Sequence, residues 1–108
     1  MTTIDKHYIA EENLSVQDKL NLETALIKWK ELQIFFAQGK LLIVSHSEDL
    51  IDVATIIADN ETDKLSKLIE AKNVQFATVD WIKEKIKDST ELWAVVISPY
   101  VVAQLKTE

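Results

Sequence analysis

A single glycine, Gly39, and a single proline, Pro99, occur in 108 residues, and this scarcity is the strongest limit on the fold. Tight two-residue hairpin turns usually need glycine, because their backbone enters the left-handed region. The chain therefore has few means of making such hairpins, and most of its connections are expected to be helix ends that carry Asn, Asp or Ser. The sequence thus favours a fold rich in helix.

The length and composition indicate one domain with one core. A chain of 108 residues that is 47% hydrophobic and 28% charged has ordinary globular proportions. Residues 1–14 show no clean hydrophobic period and are predicted to form a partly ordered arm, followed by a single domain over residues 15–108. Asp5 and Lys6 lie where a signal peptide would need apolar residues, so a cytoplasmic protein is expected.

The charged and reactive residues exclude several classes of partner. The net charge is −6 and all twelve basic residues are lysine, so the side chain that best binds phosphate and reads guanine is missing, and no nucleic acid partner is expected. The longest apolar stretch, residues 92–103, is shorter than the roughly 20 residues of a membrane helix. Without cysteine, and with only one glycine, thiolate metal sites and glycine-rich phosphate loops are excluded. No cofactor is expected.

Hydrophobic periodicity predicts four helical segments. They cover about residues 16–38, 47–59, 62–73 and a short stretch from residue 80. The apolar stripe of the first segment consists of Leu22, Ala25, Leu26 and Trp29, spaced i, i+3, i+4 and i+7. It ends at Gly39, which can close a helix in the left-handed conformation. Periodicity leaves open whether this segment is one helix or two, broken near Ile27. Ser47 and Asp80 are the predicted N-caps of later helices.

Short apolar runs predict the strands. They lie at about residues 40–44, 74–78, 92–97 and 100–105. The first and third of these runs are apolar on both faces and are expected inside the sheet, with Trp93 packed against helices. Pro99 is expected at a bulge, a bend or an edge. The predicted fold is α+β, a single compact domain in which helices pack on a small mixed sheet of three or four strands.

Three blocks of residues, taken in order and spacing, resemble one family. They are Glu23, Thr24, Ala25, Trp29, Glu31, Leu32, Phe35, Phe36, Ala37 and Gly39; Asp49, Leu50, Val53, Ala54, Ile57, Ala58 and Asp59; and Glu91, Leu92, Trp93, Ala94, Val95, Val96, Pro99, Tyr100, Val101 and Gln104. Over about residues 16–105 the chain resembles the small bacterial family catalogued as domain of unknown function 2288. The resemblance implies a stand-alone bacterial protein and no assigned activity or cofactor. Relatives with proline at the position of Lys28 favour two helices with a break near Ile27.

One acidic cluster has the spacing of a calcium-binding loop. Asp59, Glu61, Asp63 and Glu70 match positions 1, 3, 5 and 12 of such a loop. Lys64, however, stands where the sharp turn of that loop needs glycine, and the apolar stripe of a helix runs through the segment. An acid-rich helix N-terminus is therefore the favoured interpretation.

A second acidic cluster follows a histidine. His46 precedes Glu48, Asp49 and Asp52, and together these side chains are a candidate for a small metal site. One histidine with carboxylates is a weak signature, and carboxylates in the first turns of a helix are also favoured by the helix dipole. A solvated helix face is therefore favoured, and no metal ligand is assigned.

The aromatic side chains admit two interpretations. Trp29, Trp81 and Trp93 are favoured as core anchors, because aromatic rings bury so much apolar area. In the alternative, Trp29 or Trp93 forms an aromatic patch with Tyr100 that binds a ligand or a protein. The sequence does not decide between them.

The function predicted from the sequence is that of a small non-enzymatic interaction or regulatory protein of the bacterial cytosol, with a protein partner or a second copy of itself. This rests on the lack of any nucleophile motif and on the dominance of packing residues. The alternative is a small-ligand-binding or metal-dependent enzyme that uses the region of His46, Asp49 and Asp52. Candidate residues for any ligand or partner site are Trp29, Glu31, His46, Asp49, Asp52 and Tyr100.

Overall fold

The computed structural model describes residues 15–107, in which a five-stranded mixed sheet carries helices on both faces. The helices are α1 (Val16–Glu23), α2 (Trp29–Ala37), α3 (Leu50–Ala58), α4 (Thr62–Glu70) and α5 (Val79–Lys85). The strands are β1 (Ala25–Lys28), β2 (Leu41–Val44), β3 (Val74–Phe76), β4 (Glu91–Ile97) and β5 (Tyr100–Leu105). The predicted α+β class is confirmed. The predicted arm, residues 1–14, lies outside the described residues.

The strand order is β1-β4-β5-β2-β3, so one strand more than predicted completes the sheet. β5 runs parallel to β2, and every other neighbouring pair is antiparallel. All four residues of β2 are buried, which confirms the expectation that this strand lies inside the sheet. None of the helices in residues 15–107 has the length and apolar character needed to span a membrane.

Two apolar cores lie on opposite faces of the sheet. On one face α1, α3 and α4 contribute Leu20, Val53 and Leu65, which pack with sheet residues such as Val102. On the other face α2 and α5 cover the sheet, and Trp29 and Leu32 of α2 are buried against it. The interpretation of Trp29 as a core anchor is thereby supported.

The segment predicted as one helix or two forms two helices, α1 and α2, and the residues between them form the strand β1. Leu22, a member of the predicted stripe, is 72% exposed, so the helical period does not describe burial here. Instead β1 pairs antiparallel with β4, with Leu26 opposite Trp93. This pairing satisfies backbone groups of β4 that would otherwise form an open edge. The chain passes from α1 through the sheet as β1 and then enters α2. The helix α1 packs on one face of the sheet and α2 on the other.

Two predicted helix caps are wrong by two residues. The cap of α3 is Asp49, whose Oδ1 accepts a hydrogen bond from the Asp52 backbone N–H at 3.0 Å, and not Ser47. The cap of α5 is Thr78, whose Oγ1 accepts from the Trp81 N–H at 3.1 Å, and not Asp80. In both cases the cap is the residue immediately before the first helical residue, whereas Ser47 lies too early and Asp80 lies within the helix.

Trp93 is 41% exposed, so the prediction that it packs in the core is wrong. Its neighbours Leu92, Ala94 and Val95 are buried, as expected for an inner strand. Trp93 shares its sheet face with Val95, on the side covered by α1 and α3. It lies in a gap of this helical cover, next to the end of α1 and the start of α3.

Pro99 forms the tight turn between β4 and β5. Ile97 pairs with Tyr100, so Ser98 and Pro99 alone make the connection, and the peptide bond between them is cis. The expected bend at Pro99 is confirmed, and the scarcity of glycine did not prevent a tight hairpin. The expected connections at helix ends are found elsewhere. One is at Asn60, which follows α3 and has the left-handed φ of 58° that asparagine tolerates.

Gly39 is the glycine whose conformation the fold requires, since its φ is 71° after α2. No atom lies within 4 Å of the position that a Cβ would occupy there, so a substitution meets backbone strain alone. We expect Gly39→Ala to lower the free energy of unfolding by about 1 kcal/mol, and Gly39→Asn to lower it less, because Asn tolerates this region. Urea melts of both variants check this, and equal losses would contradict it.

Candidate functional site

A cleft of about 420 Å³ opens at the end of β2, where the chain leaves the sheet for α3. Its volume lies within the range of about 300 to 1,000 Å³ that is usual for small-ligand sites. We name it the Trp93 cleft. It is lined by Asn21, Thr24, His46, Glu48, Asp49, Leu50, Ile51, Trp93 and Gln104.

The sheet forms the floor of the cleft. Trp93 on β4 lies directly opposite Gln104 on β5, and both belong to the face that α1 and α3 cover. Cross-strand neighbours of this kind have Cβ atoms about 5 Å apart, so their side chains share one surface. Trp93 contributes an indole ring, which combines a large apolar face with one N–H donor. The floor therefore consists of the Trp93 indole and the Gln104 side-chain amide.

Gln104 holds the loop that forms one wall. Its Nε2 donates hydrogen bonds to the backbone carbonyl oxygens of Ser45 and Glu48, both at 2.9 Å. An amide nitrogen has two N–H groups, so these two bonds use its full capacity. The loop of residues 45–48 is thus anchored to β5, the central strand of the sheet. The helix α3 begins two residues after this loop, at Leu50.

Asn73, in the connection between α4 and β3, braces the same loop from the other side. Its Nδ2 donates to Glu48 Oε2 at 3.1 Å, and its Oδ1 accepts from Ser47 Oγ at 3.3 Å. Its backbone carbonyl accepts from the Ser45 N–H at 2.9 Å. With Gln104 and Asn73 both attached, the wall of the cleft is held through side chains and backbone together.

The cleft carries negative charge. Glu48 Oε2 accepts a hydrogen bond from Asn73 Nδ2, and Asp49 Oδ1 accepts one from the backbone N–H of Asp52. The ion pairs Lys64–Glu61 and Lys106–Glu91 both lie outside the cleft. No lysine stands among the described residues that line the cleft.

The structure brings some of the predicted site residues together. His46 and Asp49 both line the Trp93 cleft. Asp52 does not line it, because its Oδ1 accepts a hydrogen bond from Gln17 Nε2 of α1 at 2.6 Å. Across the described part of the chain, no three His, Cys, Asp or Glu side chains are grouped so that they could hold a metal ion. The geometry that a metal site at His46, Asp49 and Asp52 would need is not found.

The other predicted site residues lie apart from the cleft. Trp29 is buried in the core of the opposite face, and Glu31 is exposed on α2 over that same face. Tyr100 packs against Phe76, with ring centroids 6.1 Å apart, and lines a separate cleft of about 350 Å³ beside the β4–β5 turn. These three residues do not form one site with His46 and Asp49.

The calcium-loop spacing falls on a helix. Residues 62–70 form α4, so Asp63 and Glu70 are at opposite ends of a helix and not on a loop that could wrap an ion. Glu61 pairs with Lys64, its Oε1 lying 3.0 Å from Nζ. The favoured interpretation of an acid-rich helix N-terminus agrees with this arrangement.

Among the polar residues that line the cleft, the sequence did not single out Asn21, Thr24 and Gln104, and it considered Trp93 only as part of a patch with Tyr100. Gln104 offered a signal, because it is the one amide in the otherwise apolar strand 100–105. An amide that is removed from water needs hydrogen-bond partners, and free backbone carbonyl groups of a nearby loop can provide them. The exposure of Trp93 gave no such signal, since it depends on where α1 ends.

Comparison with known proteins identifies relatives of this fold. A family model described as protein of unknown function, DUF2288, matches residues 15–105. The chain is also similar to PA1075 from Pseudomonas aeruginosa, whose solution structure was determined by NMR. The two chains are 35% identical, with 100% of this chain and 93% of the other covered and a TM-score of 0.76. No curated protein matches the chain with significant similarity.

Proposed function

This chain belongs to the DUF2288 family, and we propose that it is a non-enzymatic, regulatory binding protein of the bacterial cytosol whose binding site is the Trp93 cleft. The family provides no activity that could be carried over. The observation that carries the proposal is the position of Trp93, which lies on an inner strand and is nevertheless 41% exposed at the floor of a cleft.

Exposing a tryptophan on an inner strand has a cost in stability. Each Å² of apolar surface left in water forfeits about 25 cal/mol, and indole is the largest side chain available. A smaller apolar side chain at position 93, opposite Gln104, would leave less apolar surface in contact with water. Tryptophan is also the residue most enriched among those that dominate binding energy. A binding role accounts for its position better than packing does.

The loop beside Trp93 is organised in advance of any ligand. Gln104 and Asn73 hold its backbone and side chains through the five hydrogen bonds described above. A cleft that is already formed needs little ordering when it binds, so more of the interaction energy becomes affinity. This rigidity supports a binding site over an exposed apolar patch without a role.

The enzyme alternative has less support from the geometry. Ser45 and Ser47, which flank His46, hydrogen-bond to each other at 2.6 Å, and Ser47 also bonds to Asn73. A serine nucleophile would need its hydroxyl against a base instead. Asp52, the third residue of the metal alternative, is engaged with Gln17. These contacts are those of a braced loop.

An NMR fragment screen of the full chain tests the proposal. With a library of neutral, acidic and basic fragments, we expect the hits to shift the Trp93 indole N–H and the backbone amides of residues 45–49. Trp93→Ala should remove most of this binding while the far-UV circular dichroism stays native. Phe76→Ala, which truncates another exposed aromatic outside the cleft, is the matched control. Hits that persist in Trp93→Ala, or that map to other surfaces, would contradict the proposal.

A further inference from the structure

A cleft separate from the Trp93 cleft opens where the connection from α5 to β4 meets the end of β5. Its volume is about 490 Å³, and three lysines, Lys85, Lys87 and Lys106, line it. Glu91 is the one carboxylate among its described lining residues. We name it the lysine cleft. It shares no described lining residue with the Trp93 cleft.

The charge of the lysine cleft is opposite in sign to that of the whole chain. The chain has 18 acidic and 12 basic residues, whereas the lining has three ammonium groups and one carboxylate. That carboxylate is engaged, because Glu91 Oε1 lies 3.4 Å from Lys106 Nζ. Within residues 15–107, Lys85 and Lys87 form no ion pair, and the exposed Asp88 does not line the cleft. The positive charge of the lining therefore exceeds what its own carboxylate can neutralise.

The helix dipole explains the position of one of these lysines. Lys85 lies in the last turn of α5, where positive charge complements the dipole. Lys87 lies beyond that helix, in the connection to β4, and Lys106 follows the last residue of β5. Like charges that the fold brings to one cleft repel each other, and an anion between them removes this cost. The arrangement therefore favours an anionic ligand.

Hydrogen bonds fix the turn that carries Lys87. The Lys87 N–H donates to Thr90 Oγ1 at 2.8 Å, and the Thr90 N–H donates to the Lys87 carbonyl at 3.0 Å. The Thr90 carbonyl in turn accepts from the N–H of Trp29, a buried residue of α2, at 3.0 Å. Ser89 lies in this turn and lines the cleft, so its hydroxyl supplies a hydrogen-bond donor. The backbone at this side of the cleft is thus ordered before a ligand arrives, which favours affinity.

We infer that the lysine cleft binds a small polyvalent anion, with two or more phosphate or carboxylate groups placed between the ammonium groups of Lys85, Lys87 and Lys106. The Ser89 hydroxyl donates a hydrogen bond to the same ligand. Lysine binds both kinds of group as a point charge, so the lining selects the charge of the ligand. A nucleic acid fits less well, because it would extend beyond the cleft onto a chain of net charge −6. The inference goes beyond the proposed function, since it concerns a different cleft.

Titrations of the full chain, followed by NMR at constant ionic strength, test the inference. The probes are pyrophosphate and citrate, with acetate as the monovalent comparison. We expect at least one polyvalent probe to shift the backbone amides of Ser89, Thr90 and Lys106. It should bind at least about tenfold more tightly than acetate, because it neutralises more of the positive charge. The tighter of the two probes identifies the anionic group, and the Trp93 indole N–H should not shift.

Variants assign the binding to the lysines of the cleft. Lys85→Gln combined with Lys87→Gln should weaken binding of the tighter probe by about tenfold, because two ammonium groups are lost. Lys85→Arg combined with Lys87→Arg keeps both charges and should bind at least as tightly as the wild type. The control pair Lys19→Gln and Lys67→Gln makes the same change in net charge at exposed positions that line neither cleft. It should leave the affinity unchanged.

Three results would overturn the inference. In the first, acetate binds as tightly as both polyvalent probes. In the second, the shifted amides are spread over the lysines of the whole surface and not grouped around the cleft. In the third, the control pair loses as much affinity as the cleft variant, so that the effect is one of net charge. None of these results bears on the Trp93 cleft, which the fragment screen tests by itself.

Discussion

Leu32→Ala should lower the free energy of unfolding by about 3 to 5 kcal/mol, which is a large part of the roughly 5 to 15 kcal/mol available to a domain. Leu32 on α2 is fully buried, at 0% exposure, in the core that Trp29 and Leu92 also form. Removing its isobutyl group forfeits the transfer free energy and leaves a cavity between helix and sheet. Urea denaturation followed by circular dichroism measures the change.

Ile34→Ala is the matched control on the same helix. Ile34 is 59% exposed and two residues away, so its truncation removes a similar volume without opening a cavity. The loss should stay within about 0.5 kcal/mol, as is usual for surface substitutions. Similar losses for the two variants would show that α2 does not present Leu32 to the sheet.

Gln104→Met should lower the free energy of unfolding by about 2 kcal/mol and loosen the loop of residues 45–48. Methionine keeps the length of the side chain and removes both N–H donors, so the part-buried Glu48 carbonyl loses the hydrogen bond described for it, while the Ser45 carbonyl keeps the one from the Glu48 N–H. A carbonyl left unsatisfied costs about 1 to 3 kcal/mol, less where water can reach it, and the second lost hydrogen bond adds to this. Urea melts measure the stability, and amide hydrogen exchange at Ser47 and Glu48 measures the loop.

Gln33→Met provides the comparison for that variant. Gln33 is exposed on α2, which packs on the face of the sheet opposite to α3, and it does not line the cleft. Its replacement should leave both stability and hydrogen exchange in the loop near the wild-type values. Unchanged exchange at Ser47 in Gln104→Met would mean that the loop keeps its conformation without the two bonds.

Elements whose buried residues recur at a regular local spacing were predicted correctly from the sequence. The prediction failed where pairing with a distant segment determines the secondary structure. The strand β2 and the left-handed stop at Gly39 are both as predicted. The stretch from Leu22 to Trp29 fits a helical stripe equally well, yet β1 forms there because β4, more than sixty positions later, has a backbone edge to pair. Periodicity within a short window cannot register such a partner.

The candidate site was predictable only in part. His46 and Asp49 were named because a histidine before carboxylates is a candidate metal site, and they line the cleft although no metal-binding group is formed among the described residues. Trp93 was assigned to the core because a run of apolar residues does not say where the helical cover stops. Its exposure depends on α1 ending at Glu23 and α3 beginning at Leu50, two bounds set by β1 and by the loop that Gln104 holds. The cleft is therefore a property of the assembled layers.

The parallel pairing of β2 with β5 sets the order in which this domain can fold. Leu41 pairs with Val101, sixty positions away, and β1 must likewise wait for β4. During synthesis β2 emerges well before β5, so the backbone groups along that edge of β2 have no strand to pair with until β5 follows. Such non-local contacts slow folding, because the chain loses loop entropy before it gains contacts. Because β5 lies between β4 and β2, the two halves of the sheet can join only once β5 is available.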